Sequence, residues 1–283
     1  MTSNKEINII NYDEYCNEPE KPFIIPQIKC AFRMIISSKS AGGKTNLLLN
    51  LVLQPLVYYD KLIVFSPTLE QPKYKMMMEF FEDLYQDDLN KCNKKSGANR
   101  STAITTKQLI HNKYTVSDIE KLSENFIQNK EDNKPVERIA EFYDDMSKLP
   151  SCNSLEKDKH ILIVVDDCML EKNQTKILEY FVKGRHKHIS IIYQTQKFSY
   201  LPTAMREQST HYIFLGIVNN MLLNTIAMSV PIGLDYKSLK KLYKTYVKEP
   251  FDFIMFNTTS PKHDEIIYKN LSTPIDINSV IVD

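Results

Sequence analysis

The segment Ser38-Lys39-Ser40-Ala41-Gly42-Gly43-Lys44-Thr45 limits the folds open to this chain more than any other. It lies between a short, mostly apolar run, Phe32 to Ser37 (FRMIIS), and a Leu-rich helical pattern that starts at Thr45. Strand, small-residue turn and helix, in that order, is the setting in which the pattern GxxxxGK[ST] holds phosphate. Backbone N–H groups of the turn and of the helix N-terminus must converge on phosphate oxygens, which demands small residues and close approach. Gly43, Lys44 and Thr45 meet that demand. The Lys44 ammonium suits β- and γ-phosphates, and the Thr45 hydroxyl suits a magnesium ion. Ser38 stands where the pattern has its first glycine, and is itself small. The competing reading is a turn that binds nothing.

A second element supports the phosphate reading. His160-Ile-Leu-Ile-Val-Val-Asp166-Asp167 is an apolar, β-branched run ending in two carboxylates, as expected of a central parallel strand buried on both faces. Asp166 is expected at the C-terminal edge of a strand neighbouring the loop, where it shares the magnesium with Thr45. Asp167 is placed to take a proton from an attacking water as a general base, or else is a solvated loop acid. The next strand, Ile189 to Tyr193, runs on into Gln194-Thr195-Gln196. A glutamine there can contact the γ-phosphate or the water; alternatively Gln194 and Gln196 only cap the strand. Lys44 and Asp166 lie 122 positions apart and no Asn-Lys-x-Asp sequence occurs, which argues against a guanine-specific switch.

Around these motifs the chain reads as α/β. Lys61 to Ser66 is a second buried strand; 72–150 is mainly helical, with helices over 73–85 and near 115–128 and 133–147, and 87–105 reads as a polar surface loop or flexible insert. After the Asp166 strand come helices near 173–184, after Pro202, near 219–228 and near 236–246, with strands Tyr212 to Leu215 and Phe251 to Phe256. Strands separated by helices imply a mostly parallel sheet flanked by helices, with a helical insert between the second strand and the Asp166 strand. Residues 1–28 read as an N-terminal arm, 29–260 as the phosphate-binding domain and 261–283 as a C-terminal tail, peripheral over 271–283. A chain of 283 residues with 42% hydrophobic and 25% charged residues can bury a sizeable core. Its 36 basic and 35 acidic residues leave a net charge of +1, so a nucleic-acid partner would have to be met by a local patch. Five cysteines without a CxxC pair suit reduced thiols, and no apolar run is long enough to span a membrane.

Together SKSAGGKT, ILIVVDD, GRHKHISIIYQTQ and LPTAMR resemble the poxvirus-type genome-packaging ATPases of the FtsK–HerA superfamily, over roughly residues 20–260. The resemblance implies a RecA-like P-loop NTPase fold and a homo-oligomeric ring, pentamer or hexamer. It implies ATP and Mg²⁺ bound between subunits, with residues 38–45 (Ser38, Lys39, Ser40, Ala41, Gly42, Gly43, Lys44, Thr45) around the nucleotide and double-stranded DNA in the central channel. Gln196 becomes the sensor of hydrolysis, and Asp167 stands where the superfamily usually has a catalytic Glu. A ring motor also needs an arginine finger supplied in trans. Arg185, in Lys183-Gly-Arg-His-Lys-His188, and Arg206 are the candidates; a DNA-backbone contact or a solvated helix end are the other readings of the 183–188 cluster. Capsid or portal-vertex proteins would be further partners, at the viral factory in the host cytoplasm, with the virion as a second location. Two other classes fit the loop: a nucleotide-gated partition switch, for which Lys39 would be the signature lysine, and a P-loop kinase.

Overall fold

A computed structural model describes residues 25, 27–29, 31–54, 56–95, 137–168, 174–216 and 218–282. They hold nine strands: β1 Arg33–Ser37, β2 Lys61–Phe65, β3 Ala140–Tyr143, β4 Ile161–Asp166, β5 Ile189–Thr195, β6 His211–Leu215, β7 Phe253–Asn257, β8 Ile267–Lys269 and β9 Thr273–Pro274. The helices are α1 Lys44–Leu53, α2 Pro72–Lys95, α3 Thr175–Lys183, α4 Thr203–Gln208, α5 Asn220–Ser229 and α6 Tyr236–Tyr246. All nine strands share one sheet in the order β3-β2-β4-β5-β1-β6-β7-β8-β9. The first six are parallel, whereas β7, β8 and β9 are added antiparallel. The α/β class and mostly parallel sheet expected from the sequence are therefore present.

The central strands are apolar throughout because helices cover both faces. Side chains alternate across a strand. Met34, Ile36, Leu162, Val164 and Ile192 accordingly join the core beneath α1 and α2. Ile35, Ile163, Val165, Ile191 and Tyr193 join the opposite core with α3, α5 and α6. That alternation decides which face each polar residue at a strand end will use. Helix starts follow local chemistry as well: the side chains of Asn219 and Asp235 accept from the backbone N–H groups of Leu222 and Ser238, each at 2.8 Å.

Several expectations are corrected. Helix α2 continues to Lys95, so 87–95 is helix and not loop. A helix already nucleated by Tyr74, Met77 and Phe80 on the core propagates through polar residues. The helix near 133–147 gives way to β3 over 140–143, an edge strand paired with β2 and tied by a Lys61–Glu141 ion pair of 2.7 Å. Pairing overrides the helical leaning of Ala140 and Glu141. The helix near 115–128 lies outside the described residues, as do the rest of 96–136 and residues 1–24. The tail is not peripheral: β8 and β9 extend the sheet, and Ile275 and Val280 are buried in the α6 core. The stretch 25–28 of the arm is packed too, with Ile25 and Ile28 in the α1 core.

His211 ties that stretch to β6. Its Nε2 lies 2.9 Å from the Gln27 carbonyl oxygen, which can only accept, so Nε2 carries the proton; Nδ1, 2.9 Å from the Thr210 hydroxyl, accepts. Burial lowers the imidazole pKa to about 4 from 6.5. A folded-state value below the unfolded one means stability that is whole above pH 6.5 and lost as pH falls towards 4. The loss attributable to His211 amounts to about 3 kcal/mol. Urea unfolding at pH 7 and pH 4.5 should therefore show a smaller pH penalty for His211→Asn than for the parent protein; equal penalties would remove this role.

Candidate nucleotide site

The loop 38–45 leaves β1 at the middle of the sheet, between β5 and β6. Two residues in it hold left-handed backbone, Ala41 at φ 58° and Gly43 at φ 95°. Gly43 is the N-cap of α1 and no side chain caps the helix. The first helical bond is Leu47 N–H to the Gly43 carbonyl, 2.9 Å, so the amides before Leu47 lack intrahelical partners. Gly42 explains how Ser38 can replace the first glycine. A side chain at 42 would collide with the Ser38 hydroxyl, which turns inward and donates to the Lys39 carbonyl at 2.9 Å. Lys39, Ser40 and Ala41 form the exposed crest. Lys44 Nζ lies across the loop, donating to the carbonyls of Ser38 (3.1 Å) and Lys39 (3.3 Å). Burial lowers its pKa, against the opposing pull of Asp166 and Asp167.

Asp166 ends β4, yet β4 is not the neighbour of β1: β5 lies between them. This corrects the expectation of adjacent strands. The gap is filled by Gln194, which faces Asp166 on one side and Ile36 on the other in strand register. Asp166 and Gln194 continue the alternation of Val164 and Ile192, so both side chains take the face of α1 and α2. Gln194 is fully buried; its Nε2 donates to the Lys44 carbonyl at 2.9 Å, while its Oε1 has no hydrogen-bond partner. A buried amide oxygen left unpaired is costly unless a further donor serves it. On the other side of Asp166, the Tyr74 hydroxyl of α2 donates to its Oδ2. Asp166 is 7% exposed, and burial raises its pKa in spite of the Tyr74 bond and the Lys44 charge.

Asp167 follows in left-handed backbone at φ 53°, and its Oδ1 accepts from Gln196 Nε2 at 3.3 Å. The structure thus brings Lys44, Asp166, Asp167, Gln194 and Gln196 together at the C-terminal edge of β1, β4 and β5. The two arginines lie elsewhere. Arg185 is exposed in the turn Gly184–Lys187 before β5, at the opposite edge of the sheet. Arg206 in α4 donates to the Ser229 hydroxyl (2.7 Å) and the Thr203 hydroxyl (3.3 Å) and lies over the Phe198 ring. Its carbonyl accepts from Tyr212. Sequence reasoning left Gln194 open between a γ-phosphate contact and a strand cap, chose Gln196 as the sensor, and missed Tyr74 altogether. Strand parity pointed to the first once the face of α1 was known; a lone Tyr in a helical run gives no signal for the second.

A carboxyl whose folded pKa is raised supports the fold at acidic pH and opposes it as pH climbs through that value. Asp166→Asn keeps an acceptor for Tyr74 and removes the buried charge. At neutral pH, without nucleotide, this variant should melt at a higher temperature than the parent in differential scanning calorimetry. A lower melting temperature would show that the charge is compensated.

Comparison with known proteins finds likeness in structure and, over part of the chain, in sequence. In overall structure the chain is similar to the genome packaging NTPase B204 from Sulfolobus turreted icosahedral virus 2 in complex with ATP-gammaS, with 13% identity, 84% of this chain and 96% of that one covered, and a TM-score of 0.47. It is also similar to VirB4 of Thermoanaerobacter pseudethanolicus, with 13% identity over 81% and 87% of the two chains and a TM-score of 0.44. No curated protein matches. Residues 144–249, from the end of β3 to the turn before β7, match the family model of the poxvirus A32 protein, in agreement with the resemblance drawn from the motifs.

Proposed function

We propose that this chain is an ATP-hydrolysing ring motor that moves double-stranded DNA, packaging a viral genome into a preformed capsid. The observation that carries the reading is the convergence of Lys44, Gln194 and Asp166 on one face of the sheet beside an uncapped helix N-terminus. The genome-packaging context comes from the resemblance of the motifs to poxvirus-type packaging ATPases, and the poxvirus A32 match over 144–249 agrees with it.

In this reading the amides from Gly43 to Asn46 and the Lys44 ammonium bind the β- and γ-phosphates. The donor set fits magnesium: a Thr hydroxyl, a desolvated carboxylate with one oxygen held by Tyr74, and an unpaired amide oxygen able to accept from a metal-bound water. Bound magnesium would neutralise charge developing on the phosphoryl oxygens. Asp167 takes the proton of the attacking water, and Gln196, hydrogen-bonded to it, senses the γ-phosphate. Arg185, exposed at the opposite edge of the sheet, suits donation to a neighbouring subunit's nucleotide better than Arg206, whose guanidinium is engaged within its own chain. Ring assembly as a pentamer or hexamer, capsid or portal-vertex contacts, and work at the viral assembly site in the host cytoplasm belong to the same proposal. Among the described residues no helix is long and apolar enough to cross a membrane.

Steady-state phosphate release should rise when duplex DNA is added, and Lys44→Ala should lower it by about 100-fold or more. Assembled protein that releases no phosphate with or without DNA would defeat the proposal.

A further inference from the structure

The triphosphate end of the site is defined by Lys44, Asp166 and Asp167, all on the β4–β5 side of β1. The other neighbour of β1 is β6, and beyond it β7 runs antiparallel, so that the entry to β7 sits beside the exit of β6. Leu215 pairs with Phe253 there, and the Gly216 N–H donates to the Asp252 carbonyl at 2.9 Å. The turn entering β7 therefore lies at the same sheet edge as the loop, on the flank away from the acids.

Phe251 is the exposed member of that turn. It is 60% exposed and holds left-handed backbone at φ 71°, which a bulky side chain rarely adopts. The conformation is imposed by Asp252, whose carboxylate accepts from the N–H groups of Lys248 (3.1 Å) and Glu249 (3.0 Å) and pairs with Lys269 Nζ at 3.1 Å. Phe251 belongs to neither of the two buried cores. Its Cδ1 stands 2.9 Å from where a side chain at Gly43 would begin, and Leu215 borders the same spot at 3.6 Å. An exposed aromatic, fixed by a buried carboxylate and set against the N-cap of α1, gives a planar apolar surface next to the loop.

We infer that Phe251 is the stacking platform for the nucleobase of the nucleoside triphosphate. The inference rests on the nucleotide reading above. With the γ-phosphate turned towards Asp166 and Asp167, the nucleoside leaves on the β6–β7 side, and the Phe251 ring is the exposed aromatic surface described there. Stacking uses the π-face common to all bases and adds affinity without contact to the phosphates.

Calorimetric titration of the full chain with ATP and with inorganic tripolyphosphate, both with magnesium, separates the two ends of the site. Phe251→Ala should weaken ATP binding about five- to 150-fold and leave tripolyphosphate binding unchanged. The chain has no tryptophan, so Phe251→Trp adds a single indole; its fluorescence should change on ATP and stay constant on tripolyphosphate. Unchanged ATP affinity in Phe251→Ala, equal weakening of both ligands, or an indole blind to ATP would overturn the assignment. Should Phe251→Ala fail to fold, the indole decides. The underlying reading fails separately: the parent protein then ignores tripolyphosphate, or Lys44→Ala binds it undiminished.

Discussion

The Gln194 amide joins the two halves of the site. β5 separates the loop strand from the acid strand, so no backbone hydrogen bond can connect β1 to β4 directly. Instead a side chain in the intervening strand donates to the Lys44 carbonyl at 2.9 Å while it stands level with Asp166 in register. A shift of β5 by one residue would send that side chain to the other face. The sheet register is held by Ile189, Ile191, Ile192 and Tyr193, all buried, so the position of α1 rests on the packing of an apolar strand. Cores on both faces are therefore part of the site's construction.

Electrostatics in the site is set by burial more than by pairing. Lys44 is pushed down and Asp166 up, each chiefly because it has lost water. The opposite charges are close enough to pull each other back towards the ionised forms, yet the Lys44 ammonium spends its hydrogen bonds on loop carbonyls. Both groups carry a penalty that a polyanion and its metal would relieve. Such preorganised, desolvated groups are worth more to chemistry than to the stability of the fold.

Much of this was legible in the sequence. The β1–loop–α1 unit and the strand ending at Asp166 announce themselves through unbroken apolar runs with chemistry at one end, since a strand covered on both faces leaves no room for polar residues. What failed to show has a common cause: contacts between residues far apart. β3 is four residues whose strand character comes from pairing with β2. Ile275 and Val280 sit in a short tail with no regular apolar spacing, and burial against the core of α6 is what singles them out. The insertion of β5 between β1 and β4 is a matter of topology that no local pattern carries. Tyr74 and Phe251 belong to the same group, ordinary aromatics until their neighbours across the sheet are known.

One contact has a mechanical corollary. Helix α2 has 24 residues, and Tyr74 lies in its first turn. At 1.5 Å per residue the far end stands about 30 Å away. Asp166 thus shares a hydrogen bond with the inner end of a long helix whose early turns are packed in the core. A displacement of the first turn of α2 against β4 would reach the acid through that bond. The acid is thereby coupled to an element that extends far from the site.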